Sequence, residues 1–152
     1  LFEAPLAPHL AARAEGKEID AELLRQGVRF WQDNSDIVLV EGAGGLLSPL
    51  GDDDFVADLA LDLGYPLIVV SPNRLGTINA TQQTLITAAT FREGLAVAGV
   101  VLNDNSPPSD DVSRSSNRSE LEKHCMPPVL AHVGFHGKSF DDDLDWLSLA
   151  TP

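Results

Sequence analysis

Glu41-Gly42-Ala43-Gly44-Gly45 sets one carboxylate directly ahead of a glycine-rich turn, and it follows the apolar run Ile37-Val38-Leu39-Val40 without a spacer. Glycines let backbone N–H groups approach an anion closely and accept positive φ. A carboxylate at that junction suits a hard cation such as Mg²⁺, which takes one or two protein carboxylates and leaves its other positions to phosphates and water. The plainer reading is that Glu41 caps a loop and the glycines turn the chain. Spacing alone leaves both open, because strand-to-glycine junctions are common.

Three more apolar runs end in polar or glycine-rich turns. Leu67–Val70 leads to Asn73-Arg74-Leu75-Gly76, Val97–Leu102 to Asn103-Asp104, and Val129–Val133 to Gly134-Phe135-His136-Gly137. Asn and Asp dominate turns, so Asn103 reads first as a turn residue. In open α/β sheets, however, ligands bind beyond the carboxyl ends of strands.

Other signals carry less. Gly137-Lys138-Ser139 ends like a phosphate-binding loop, but the glycine that such a loop needs five positions earlier is His132 here. His124, Cys125, His132 and His136 lack the spacings that mark zinc sites. Asp52, Asp53 and Asp54 precede a helical pattern, where the helix dipole favours acids; they read as a solvated cap ahead of a metal cluster.

The elements that must position these residues alternate. A short helix is expected after Pro5 and Pro8, over Leu10–Ala14, and a longer one from a cap at Asp20 to Asp33-Asn34. Ile37–Val40 reads as a buried strand, and Phe55–Leu63 as a helix closed by Gly64. Strands at Leu67–Val70, Val97–Leu102 and Val129–Val133 flank a helix over Thr77–Arg92 with Ile78, Leu85, Ile86 and Phe91 inside, and a short one over Ser119–His124. Ser106–Asn117 reads as an exposed loop, and Asp141–Leu149 as a final helix packed by one face. This alternation predicts an α/β fold, a parallel sheet with helices on both faces, in a single domain over residues 1–152. Glu41, the Ser71–Gly76 turn, Asn103 and Gly134 would then share one sheet edge.

The 152 residues carry a formal net charge of −13, which argues against a nucleic-acid backbone or an anionic membrane as the main partner. One cysteine excludes an internal disulfide and fits a reducing compartment. With no membrane-length apolar run and no signal-peptide pattern, a cytoplasmic location is expected.

Taken in order, Pro5 to His9, Val40 to Leu50, Leu75 to Asn79 and Gly99 to Asp104 resemble dethiobiotin synthetase. Val-Glu-Gly-Ala-Gly-Gly followed by Pro-Leu, Leu-Gly-x-Ile-Asn and a strand ending in Asn-Asp are similar to that family's motifs, in its order and with its gaps. The resemblance implies a P-loop NTPase-like, Rossmann-like three-layer fold. It implies an ATP- and Mg²⁺-dependent cyclo-ligase in which diaminopelargonate takes up CO₂ as a carbamate, ATP phosphorylates it, and the second amine closes dethiobiotin. Glu41 would hold Mg²⁺ and serve catalysis, with Gly42, Ala43 and Gly44 against the phosphates. Asn103 and Asp104 would face the adenine, Gly134 and Phe135 would border it, and Gly76, Thr77, Ile78 and Asn79 would meet the substrate carboxylate in a homodimer. The family pattern also has an earlier strand, a P-loop ending in Gly-Lys-Thr and a later lysine. The sequence lacks them, so the fold is expected to be incomplete at the N-terminus and the chain weak as a ligase by itself. The alternatives are a non-catalytic binding or dimerisation module and a related P-loop amide-forming ligase.

Overall fold

A computed structural model of the chain describes residues 2–107 and 110–150. Leu1, at which the first expected segment begins, and residues 108 and 109 of the expected loop lie outside the described residues. Contacts divide the chain into two compact units, Leu1–Tyr65 and Pro66–Pro152.

The first unit holds α1 (Pro8–Ala14), α2 (Ala21–Asn34) and α3 (Val56–Leu63). Proline at the first position of α1 gives up an N–H that no helical carbonyl would accept. The Asp20 carboxylate accepts the Leu23 N–H at 2.9 Å and so starts α2 where the sequence marked it. Gly64, in the left-handed region at φ 67°, ends α3. Arg25 of α2 grips α3 and the segment before it. Its Nη1 and Nη2 donate to the two Asp54 oxygens at 3.3 and 3.1 Å, and its Nε donates to Asp62 at 2.6 Å. Asp54 thus belongs to a forked ion pair, while Asp52, paired with Arg13, and Asp53 stay exposed as a solvated acidic stretch does.

Ile37–Val40, expected as a strand, joins no ladder among the described residues, and Leu39 is 87% exposed. A strand exists through its neighbour's hydrogen bonds, and an apolar composition cannot supply them.

The second unit holds β1 (Leu67–Pro72), α4 (Thr77–Thr90), β2 (Val97–Asn103), α5 (Arg114–His124) and β3 (Val129–Val133). The strands form one parallel sheet in the order β1-β2-β3, so among the described residues the sheet has three strands rather than the expected four. Val100, Val101 and Leu102 of the central strand are buried, as the continuous apolar run of a covered parallel strand requires. On β1, Ile68 and Val70 are exposed while Ser71 is buried and hydrogen-bonded to Thr81 of α4, Oγ to Oγ1, at 2.8 Å.

The buried positions of α4 are Thr77, Thr81 and Ala88. Ile86, expected inside, is 60% exposed. At ~3.6 residues per turn it lies about half a turn from the Thr77–Thr81–Ala88 line, and small residues let α4 approach β1. α5 begins five residues ahead of the expected Ser119, at Arg114. The turn before it is held by Asp111, whose Oδ1 accepts from the Ser113 N–H at 3.0 Å and the Ser113 hydroxyl at 2.6 Å. Asn117 and Leu121, one turn apart, are its buried face.

The expected final helix does not form; a 3-10 turn at Ser148–Ala150 is the regular structure there. Asp141 and Asp142 of that tail are engaged elsewhere, while Asp145 accepts the tail's own Leu147 and Ser148 N–H groups. Arg118 donates to Asp141 and Asp142 at 2.6 Å each, and the His132 N–H donates to the Asp141 carboxylate at 2.6 Å. These bonds hold the segment's start against α5 and β3, and Phe140 packs on Trp146 with ring centroids 4.3 Å apart.

Candidate functional site

The register Pro72↔Asn103 and Asn103↔Val133 brings the carboxyl ends of all three strands level. Asn73, Asp104 and Gly134 therefore follow one another along a single edge. The Asn73 N–H donates to the Asn103 carbonyl at 2.7 Å, and the Asp104 N–H to the Val133 carbonyl at 2.9 Å, so the backbone bonding continues just past the strands.

A polar relay crosses this edge. Asn73 Nδ2 donates to Asp104 Oδ1 at 2.8 Å, and Asn117 Nδ2 donates to Asn73 Oδ1 at 2.9 Å and to the Arg74 carbonyl at 3.3 Å. His132 Nε2 lies 3.2 Å from Asp104 Oδ1, a close contact without hydrogen-bond alignment, and that nitrogen is buried with no hydrogen-bond partner. Asp104 Oδ2 has no hydrogen-bond partner among the described residues, and the side chain as a whole is partly buried at this edge.

Beyond β1 the chain enters α4 through Gly76, which sits at φ 93°. The Leu75 N–H is taken by Asp111 Oδ2 at 2.8 Å, the Thr77 N–H by the Arg74 carbonyl at 3.1 Å, and the Ala80 N–H by the Gly76 carbonyl at 3.1 Å. The Ile78 and Asn79 N–H groups meet no acceptor among the described residues, and Thr77 Oγ1 is buried without a partner. Unfilled donors at a helix start suit an anion. The Ser113 hydroxyl, followed by the Leu75 N–H, holds the Asp111 carboxyl below its ordinary range.

Beyond β3, Gly134 and Phe135 are exposed, and the Phe135 ring stacks on that of His136 with centroids 3.9 Å apart. The Gly137 N–H donates back to the Gly134 carbonyl at 2.7 Å, so Gly137-Lys138-Ser139 follows a tight turn and not a phosphate-cradling loop. Asp141, held low in pKa chiefly by the His132 N–H, closes that turn against β3.

Glu41 belongs to the first unit and, because Ile37–Val40 is unpaired, does not stand at a strand's end. Glu41, Gly42, Ala43 and Gly44 form an exposed loop. Gly44 holds φ 90°, and a Cβ there would collide with Ser48; a Cβ on Gly42 would come within 2.9 Å of Val56. The loop leads into the start of α3: the Leu46 and Ser48 carbonyls accept the Ala57 and Val56 N–H groups at 2.8 and 3.0 Å, and the Asp58 carboxylate accepts the Phe55 N–H at 2.9 Å. Those helix-start donors are spent within the protein. No group of three or more His, Cys, Asp or Glu that could hold a metal occurs among the described residues. A cation at Glu41 would rest on one carboxylate plus ligand oxygens, a donor set that Mg²⁺ accepts.

Asn73, Asn117 and the contact of His132 with Asp104 escaped the sequence reading. The signal that was there is the spacing of Asn117 and Leu121, one helical turn apart.

The AAA domain family model matches residues 1–139. Curated relatives named ATP-dependent dethiobiotin synthetase BioD align along most of the chain. That of Anoxybacillus flavithermus is 39% identical over 88% of this chain and 59% of its own length. That of Anaeromyxobacter dehalogenans is 46% identical over 86% of this chain and 57% of its own length. That of Corynebacterium glutamicum is 42% identical over 95% and 67%. The chain thus spans little more than half the length of the first two. With a parallel α/β sheet whose polar strand ends share one edge, and with that similarity along most of its length, the chain belongs to the dethiobiotin synthetase family of AAA domain proteins.

Proposed function

We propose that this chain serves an ATP- and Mg²⁺-dependent cyclo-ligase that makes dethiobiotin from diaminopelargonate and CO₂, as part of a single dethiobiotin synthetase-like domain acting as a cytoplasmic homodimer. The observation that carries the reading is the second unit's edge, where the Asn103-Asp104 strand end, the unfilled start of α4 and the exposed Phe135 ring lie along neighbouring strand ends.

In this reading Asn103 and Asp104 meet the base, and Gly134 and Phe135 border it. The Ile78 and Asn79 N–H groups, with Gly76 and Thr77, receive the substrate carboxylate, an anion to which a helix start offers both donors and a favourable dipole. Glu41 is the Mg²⁺ ligand, and Gly42, Ala43 and Gly44 leave backbone close to the phosphates. When bound, Mg²⁺ neutralises charge on the transferring phosphoryl group. The protein's share is to hold base, phosphates and carboxylate in place.

Calorimetric titration with Mg·ATP tests this. Binding in the micromolar to millimolar range, weakened about tenfold or more in Asn103→Ala and in Glu41→Ala by loss of a base contact or a metal ligand, is expected. A folded sample that takes up no Mg·ATP, or variants that bind as the wild type does, would sink the reading and leave the non-catalytic module.

A further inference from the structure

We infer that Asn117 and Asn73 are positioning residues that tie the base-facing carboxylate of Asp104 to the turn that starts α4; this rests on the nucleotide reading of the Asn103-Asp104 edge. A carboxylate only accepts hydrogen bonds. With Asp104 Oδ1 as its partner at 2.8 Å, Asn73 must turn its amino group toward Asp104 and its carbonyl away. That carbonyl can be satisfied only by a donor, which Asn117 Nδ2 supplies at 2.9 Å. The charge on Asp104 thus fixes the direction of both buried amides.

Burial makes the direction consequential. Asn73 and Asn117 are 3% and 2% exposed, and an unpaired amide there has no water to turn to. The same Asn117 amino group reaches the Arg74 carbonyl at 3.3 Å, two residues ahead of Gly76. Asp111 adds a second tie to this turn through the Leu75 N–H. One side chain of α5 therefore supports both the Asp104 carboxylate and the approach to the Gly76–Asn79 helix start, while belonging to neither strand end. It touches no ligand itself; it holds one Asp104 oxygen in place so that the other is presented to the edge.

The test compares wild type, Asn117→Asp, Asp104→Asn and the double variant, by thermal melting and by Mg·ATP titration at a temperature where circular dichroism shows each folded. Asn117→Asp sets an acceptor against the Asn73 carbonyl and forces that amide to turn its oxygen on Asp104. Its melting midpoint should fall, and Mg·ATP affinity should drop about tenfold, the scale of one charge-assisted hydrogen bond. Adding Asp104→Asn lets the relay run in the opposite direction, so the midpoint should recover in part, the Arg74 carbonyl still lacking its Asn117 donor, while affinity stays weak because the carboxylate is gone. A purely structural role would lower the midpoint of Asn117→Asp but leave the affinity of its folded form unchanged. Melting losses that simply add, or an Asn117→Asp protein that binds as wild type does while Asp104→Asn does not, would overturn the inference and leave the nucleotide reading intact. No binding by wild type, or undiminished binding by Asp104→Asn, would overturn both.

Discussion

Gly99 of the central strand offers the sharpest test of how the second unit is packed. A Cβ on Gly99 would collide with the Leu130 side chain near its branch point and come within 2.8 Å of the Pro128 carbonyl oxygen. Neither neighbour can withdraw freely. Leu130 is 7% exposed, and the Pro128 carbonyl accepts the Val100 N–H at 2.8 Å as part of the β2–β3 join. Overpacking a core costs about 1–3 kcal/mol, and contacts this close argue for the upper part of that range. Alanine in a strand recovers about 0.5–1 kcal/mol of the glycine's entropic cost, so Gly99→Ala should lose about 1–2 kcal/mol. With a urea m-value of about 2 kcal/mol/M, the denaturation midpoint followed by circular dichroism should fall by roughly 0.5–1 M. Leu130→Ala alone should cost about 2–5 kcal/mol, and the added methyl should occupy part of the space it vacates. The double variant should therefore be more stable than the summed single losses by about 1 kcal/mol. A Gly99→Ala protein as stable as wild type, or losses that add, would refute the packing argument.

Two further outcomes follow from the ion pairs and turns. Arg25→Ala strips the forked contact to Asp54, whose side chain is mostly covered, and the screened bond to the half-exposed Asp62, and should destabilise the first unit by about 1 kcal/mol, between exposed and buried pairs; limited proteolysis near Asp52–Asp54 should quicken, and an unchanged cleavage rate would contradict it. Asp111 and Asp141 have carboxyl pKa values depressed by the Ser113 hydroxyl and by the His132 N–H respectively, so their stabilising effect is full above the ordinary Asp value of about 4 and disappears as pH falls through their lower folded values. Melting midpoints measured from pH 6 downward should drop below about pH 4, less steeply in Asp111→Asn; equal slopes would show that the Leu75–Asp111–Ser113 turn contributes nothing.

Much of the local structure was legible in the sequence because its causes are local. The Asp20 cap, the Gly64 stop and the three apolar strands of the sheet depend on residues within a few positions of each other. The polar turns at the sheet edge were legible for the same reason, since Asn103-Asp104 and Gly134-Phe135 follow strands, and Gly76–Asn79 opens a helix, that the pattern located. What the pattern could not carry were properties that need a partner from elsewhere. Ile37–Val40 has a strand's composition, but a ladder needs a second strand. Ile86 has a core residue's identity, but the face of α4 that meets β1 is set by Thr77, Thr81 and Ala88. Asp141 and Asp142 read as part of a helix's polar side until Arg118 and the His132 N–H claim them.

The ordered motifs by themselves determined the family, because short segments at kept intervals survive in a one-dimensional string. Only the tertiary structure decided that Asn73 and Asn117, which read as ordinary turn and loop residues, are buried and bonded in a fixed direction. The physical reason is that a polar side chain's worth depends on what surrounds it: in water an asparagine exchanges one partner for another at little cost, and between β1, β2 and α5 it has a single arrangement that satisfies the charge on Asp104.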